Sequence, residues 1–206
     1  PVRVKAILQK LDEAYPAVTC ALEHENAFQL LISTILSAQC TDERVNMVTK
    51  KLFKTYPMAA DYANADPTTL EDDLKQITFY RNKARNIRAM ANILVTRYNG
   101  EVPRTLAEVV ALPGAARKTA NVVLGNAYGI IEGIAVDTHV GRLMRRMGFT
   151  RSEDPVVIEQ QLMKIVPRDV WVLFTHLMIY HGRAICQARK PLCDQCLVAA
   201  RCPKII

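Results

Sequence analysis

The sequence predicts an all-α protein, and three observations carry the prediction. Apolar residues recur at three- and four-residue spacing through most of the chain, strict two-residue alternation is nowhere sustained, and capping residues, prolines and glycines mark where helices start and stop. At 206 residues, half of them hydrophobic, the chain can bury one sizeable core or two smaller ones. Disorder and a disulfide-stapled miniprotein are both excluded.

The elements follow in order. Val4, Ile7, Leu8, Leu11 and Tyr15 make one face of a first helix, and the run "AFQLLISTIL" reads as a buried second one. Val45, Val48, Leu52 and Tyr56 define a third. Asp66-Pro67 places a capping acid before a proline at the first helical position, and Ala84, Ile87, Ala91, Leu94 and Tyr98 form a long face that should stop at Gly100. In "LAEVVALPGAARKTANVVLGNAYG" a short helix ends at Leu112, the chain turns through Pro113 and Gly114, and a second helix runs from near Arg117 to Gly129. Asp137 precedes a helix with Val140, Leu143, Met144 and Met147 on one face, ending at Gly148. Asp154-Pro155 opens another helix, and "VWVLFTHLMIY" is a last buried one. There is no repeat, low-complexity tract or flexible linker, so composition places no domain boundary.

A formal net charge of +7 favours a polyanionic partner, because Lys and Arg that neutralise phosphates release condensed counterions; excess charge also serves solubility. The most apolar runs are shorter than the ~18 residues a membrane span needs, so a soluble intracellular protein is expected. In a reducing compartment, four of six cysteines packed into "CQARKPLCDQCLVAARC", residues 186–202, suggest a metal site before a disulfide network.

Two central segments carry chemistry. The hairpin at 112–117 presents backbone N–H groups at a helix N-terminus, where the macrodipole is positive; it can grip a phosphate without reading sequence, or can be a tight turn between packed helices. Lys118 stands in the first turn of the second helix, where the positive end should favour the neutral, nucleophilic amine; a solvated or phosphate-contacting lysine is the plainer reading. Asp137 is an N-cap, and capping alone explains an aspartate there.

Taken together, "LLISTILSAQCTD", "LPGAARKTANVV", "IAVDTHVGRLMRRMG" and Cys186, Cys193, Cys196 and Cys202 at intervals of six, two and five residues resemble the endonuclease III family. This is the iron-sulfur branch of the helix-hairpin-helix DNA glycosylases, and the resemblance runs essentially end to end. It implies a two-domain fold: a six-helix barrel over residues 21–132, and an iron-sulfur cluster domain from residues 1–20 and 133–206, with the site in the cleft between them. It implies that the four cysteines ligate one [4Fe-4S] cluster, although tetrahedral zinc also takes four cysteines. Arg189 and Lys190 would then meet the DNA backbone from the loop between the first two ligands, while Cys20 and Cys40 are expected to be buried small side chains.

The resemblance further implies a base-excision repair glycosylase with AP lyase activity. Such an enzyme removes oxidised pyrimidines from duplex DNA, acts also on abasic sites, and works as an intracellular monomer in the cytoplasm and about the nucleoid, with no dissociable cofactor and no Mg²⁺. Lys118 would attack the deoxyribose C1′ and Asp137 would assist; mismatch-specific relatives generally lack lysine here. Gln39 would fill the space vacated by the extruded nucleotide, and Phe79 would stand where the family carries an apolar wedge, a core aromatic being its other reading. Gly114, Ala116 and Arg117 form the phosphate-binding hairpin, and His139 could orient groups near Asp137. His176 and His181 receive no role. The family hairpin usually carries a second glycine where this chain has Ala116. Alanine forced to positive φ costs roughly 1 kcal/mol, so a hairpin that either bears that strain or has relaxed to another shape is expected, with Ala116→Gly tightening DNA binding. The missing glycine also keeps open a DNA-binding module with weak or no catalysis.

Overall fold

A computed structural model of the chain describes residues 2–205; Pro1 and Ile206, the outermost positions of the expected cluster domain, lie outside the described residues. Every regular element among those residues is helical. Contacts divide the chain into two compact units, Pro1–Cys20 with Gly133–Ile206, and Ala21–Glu132.

Helix α1 (Val2–Ala14) buries Val4, Ile7, Leu8 and Leu11 and belongs to the first unit. The second unit holds α2 (Ala27–Leu36), α3 (Asp42–Thr55), α4 (Ala59–Asn64), α5 (Pro67–Leu74), α6 (Tyr80–Tyr98), α7 (Leu106–Val110) and α8 (Arg117–Tyr128). The remainder of the first unit is α9 (Thr138–Arg146), α10 (Pro155–Met163), a 3₁₀ turn (Arg168–Val170) and α11 (Trp171–Ala184), followed by two more 3₁₀ turns that carry cysteines at their edges.

Helix α2 is the centre of its unit. Every residue from Phe28 to Leu36 is buried, which a ten-residue segment achieves only when helices surround it, and α3, α6 and α8 all pack on it. Its start is fixed by Asn26, whose side chain accepts from the Gln29 N–H at 2.9 Å. The Asp-Pro starts behave alike: Asp66 accepts from Thr69 N–H at 2.9 Å and Asp154 from Val156 N–H at 2.8 Å. Helix ends use left-handed residues as anticipated at Gly129 and Gly148, but α6 closes on Asn99 as well as Gly100, both at positive φ.

In the first unit, α11 packs against α1 and α9, with Phe174, Leu177 and Met178 meeting the buried faces of its neighbours. Two expectations fail here. Cys20 and Cys40 are partly exposed, because each sits in a connection outside the helices and not on a packed face. The first hairpin helix stops at Val110; Leu112 is buried beyond its end.

Candidate DNA-binding and glycosylase site

The hairpin turn sits where three helices meet. Gly114 has φ +81°, the left-handed region, and a Cβ built there would lie 3.1 Å from Asn86 Cβ of α6 and 3.3 Å from Ile35 Cγ2 of α2. The sequence therefore needs glycine at 114 twice over, for the backbone and for the space. Ala116 does not share that need. Its φ of −109° and ψ of 173° are extended, and it is the N-cap of α8. The strain expected at Ala116 is absent, because Gly114 alone takes the left-handed turn; the strain-based ground for tighter DNA binding by Ala116→Gly goes with it. The Ala116 methyl makes no cap hydrogen bond at the positive end of α8. Arg117 and Lys118 are the first two residues of that helix, and both are exposed.

Gln39 and Phe79 lie on the same unit as the hairpin, in the connections after α2 and before α6. Both are at positive φ, 54° and 56°, two of only four non-glycine residues so placed among the described residues. A bulky side chain in that region is a strained outlier. Phe79 is 62 % exposed, so it is no core aromatic. An exposed phenyl ring on strained backbone is held out toward solvent by the fold around it.

On the other unit, Asp137 does cap: its Oδ1 accepts from Val140 N–H at 2.8 Å, and the residue is half-buried. His139 is fixed by Arg142, whose Nη2 donates to its Nδ1 at 3.0 Å, which leaves the ring proton on Nε2. The same guanidinium donates to the Gly182 carbonyl at 2.9 Å and, through Nε, to the Cys186 carbonyl at 3.1 Å. Gly182 is needed at this crossing, since a Cβ there would stand 3.0 Å from His139 Nδ1.

All four cysteines of the C-terminal motif line one cavity of about 30 Å³, more room than a single water requires. N–H donors reach three of the four sulfurs. Arg146 Nη1 lies 3.5 Å from Cys186 Sγ, the Lys204 backbone N–H donates to Cys202 Sγ at 3.4 Å, and His181 Nε2 is 3.4 Å from Cys196 Sγ. His181 is fully buried, and burial pushes it down to about 4, so its ring is neutral. One tautomer satisfies both ends: Nε2–H donates to the sulfur while Nδ1 accepts from the Tyr15 hydroxyl 3.0 Å away. Arg146 also grips the loop behind Cys186, donating to the Gln187 and Ala188 carbonyls at 2.7 Å each. Arg189 and Lys190 follow directly and are exposed. Among the described residues no three His, Cys, Asp or Glu side chains converge closely enough to hold a metal ion.

The sequence reading missed Tyr15, Arg142, Arg146 and His181. Arg142 and Arg146 carry a weak signal, being four residues apart on the helix that Asp137 opens and on the side away from Val140. Nothing local in the sequence marks Tyr15, which meets His181 from 166 positions away.

Comparison with known proteins decides the family. The HhH-GPD superfamily of base excision DNA repair proteins matches residues 32–168, more than half of the chain. The chain belongs to this superfamily.

Members named endonuclease III are similar over nearly the whole length. That of Synechocystis is 50% identical across 98% of this chain and 92% of its own, and that of Bacillus subtilis 43% identical across 97% and 91%. A solved structure of a trapped endonuclease III–DNA covalent intermediate superposes with a TM-score of 0.93 at 45% identity, covering 98% of this chain and 94% of the other. A thermostable thymine-DNA glycosylase, 21% identical with a TM-score of 0.87, shares the fold. The fold is thus the all-α helix-hairpin-helix glycosylase fold. The superfamily match includes Gln39, Phe79, the hairpin, Lys118 and Asp137 and ends before the first cysteine of the motif; the full-length relatives extend across it.

Proposed function

We propose that this protein is a base-excision repair DNA glycosylase with AP lyase activity, acting on duplex DNA that carries oxidised pyrimidines or abasic sites. One observation carries the reading: the near-complete likeness to an endonuclease III trapped covalently on DNA, in a chain that holds an exposed lysine at the second position of the hairpin helix. Covalent trapping requires a nucleophile, and Lys118 is a primary amine in the first turn of a helix whose positive end can take a phosphate.

In this reading the Lys118 amine attacks C1′ of the extruded nucleotide. The glycosidic bond breaks, the base leaves, and the proton lost from nitrogen passes to Asp137, whose carboxylate also stabilises positive charge developing on the sugar. Ring opening gives an imine between Lys118 Nζ and C1′. Loss of a C2′ proton then breaks the C3′–O bond, nicking the strand 3′ to the lesion, and water releases the lysine. Gln39 and Phe79 occupy the space left in the duplex; their exposure on strained backbone supports that role. The hairpin amides at 114–117, with Arg117, and the loop residues Arg189 and Lys190 hold phosphates, and His139 lies near Asp137 in sequence with its ring orientation set by Arg142.

Cys186, Cys193, Cys196 and Cys202 would hold one [4Fe-4S] cluster, which supplies a structural cross-link when bound. The four cysteines lining one cavity and the N–H donors to three of their sulfurs suit a thiolate-ligated centre.

Borohydride reduction tests the central claim. It should trap the wild-type protein on an abasic duplex, and Lys118→Gln should bind that duplex without trapping or nicking it. Undiminished trapping by Lys118→Gln would place the nucleophile elsewhere, and absent trapping by the wild type would favour the non-catalytic module.

A further inference from the structure

Lys83 is a buried cation that the reaction above does not use. It stands in the first turn of α6 and is 6 % exposed, and its ammonium is held by carbonyls: Nζ donates to Leu36 O at 2.8 Å and to Ala38 O at 2.6 Å. Those acceptors lie at the C-terminal end of α2, where carbonyls lack helical partners and the dipole is negative. Burial pushes the amine below the ordinary lysine range, so the charge is held at a cost. Its backbone N–H meanwhile donates to the Phe79 carbonyl at 3.2 Å.

One residue therefore touches both strained connections, the first through its side chain and the second through the opening backbone bond of α6. The Ala38 carbonyl belongs to the peptide that enters Gln39, and the Phe79 carbonyl belongs to the other left-handed residue itself. Left-handed backbone at a side-chain-bearing residue costs roughly 1 kcal/mol and persists only where the surroundings over-determine it. We propose that Lys83 is a positioning residue that locks Gln39 and Phe79 into one preset pair, so that both side chains enter the duplex together when a nucleotide is extruded. This rests on the reading of Gln39 and Phe79 as space-filling residues. Without the ammonium, the Leu36 and Ala38 carbonyls lose their common donor and the Gln39 connection relaxes independently of Phe79.

The test compares borohydride trapping on an abasic site in duplex DNA with trapping on the same site in a single strand, where no stack has to be filled. Lys83→Met, similar in length and without the charge, should lose about tenfold on the duplex, or about 1.4 kcal/mol, and stay within about threefold of wild type on the single strand. A 2-aminopurine placed opposite the abasic site should also brighten less at saturating Lys83→Met than at saturating wild type. Lys83→Arg, which keeps a buried donor and charge, should recover part of the duplex-to-single-strand ratio, and it serves as the second variant if Lys83→Met does not fold. A wild-type ratio in Lys83→Met, or equal losses on both substrates, would overturn the inference. Gln39→Ala and Phe79→Ala separate the two claims: if neither lowers the ratio, the space-filling reading itself fails, whereas if both do and Lys83→Met does not, only the role of Lys83 fails.

Discussion

Adding one methyl group at Gly114 should damage the hairpin more than any change at Ala116. The Gly114→Ala methyl enters a backbone at φ +81°, which costs about 1–2 kcal/mol for an L residue. It also arrives 3.1 Å from Asn86 Cβ and 3.3 Å from Ile35 Cγ2. The first of these atoms is bonded directly to the α6 backbone and cannot swing aside, and Ile35 is itself 4 % exposed and packed. Overpacking of this kind typically costs a further ~1–3 kcal/mol. A total of about 2–5 kcal/mol lowers the melting temperature of a chain this size by roughly 4–20 °C. Thermal unfolding followed by far-UV circular dichroism reads it. A hairpin that relieves the strain by changing shape also misdirects the α8 amides, so affinity for undamaged duplex should fall by about tenfold at fixed salt. The control is Ala116→Gly. The gain of glycine over alanine at an N-cap, up to ~1 kcal/mol, is offset by the ~0.4–1 kcal/mol of added freedom in the unfolded chain. Its melting temperature should stay within about 2 °C of wild type. A Gly114→Ala melting loss under about 2 °C would refute the reasoning from both φ and space, and a large gain from Ala116→Gly would mean that residue is strained after all.

Asp137→Asn separates capping from catalysis: asparagine caps as well as aspartate, so stability should change by less than about 1 kcal/mol while base removal slows by two or more orders of magnitude, about 10²-fold being ordinary for a lost acid–base group. An unchanged glycosylase rate would reduce Asp137 to its cap. Purified protein should be yellow-brown, with broad absorption near ~400 nm and iron with acid-labile sulfide on analysis, and Cys193→Ser should lose colour and folded yield together. One equivalent of zinc in a colourless protein would exclude the cluster. Tyr56 is pushed up to about 12 by burial and by its hydroxyl donating to Asp73 Oδ2 at 3.0 Å. Because the folded value is the raised one, the unfolded chain ionises first and stability falls as pH rises from about 10 toward 12. Tyr56→Phe should cost about 1 kcal/mol at neutral pH and flatten that alkaline fall, and an equally steep fall in the variant would assign it to other groups.

What the sequence determined by itself was most of the local frame. Helical periodicity placed the apolar faces of α1, α3, α6 and α9, because spacing along one helix needs no partner to be read. Asp66-Pro67, Asp154-Pro155 and Asp137 announced helix starts, since a cap and its N–H donors lie within three residues of each other. The four cysteine intervals and the hairpin likewise stood within short windows. Tertiary structure decided what depends on backbone angle or distant contact. Whether Ala116 bears strain turned on which hairpin residue takes the left-handed turn, and whether Phe79 points outward turned on how α2 and α6 meet. The Tyr15–His181 bond and the Lys83 side chain's grip on the Leu36 and Ala38 carbonyls join residues 166 and 45 or more positions apart, and no pattern in a linear chain encodes which buried donor will find which acceptor. Desolvation supplies the reason: a buried polar group must be paired, but its partner is chosen only when helices far apart in sequence pack.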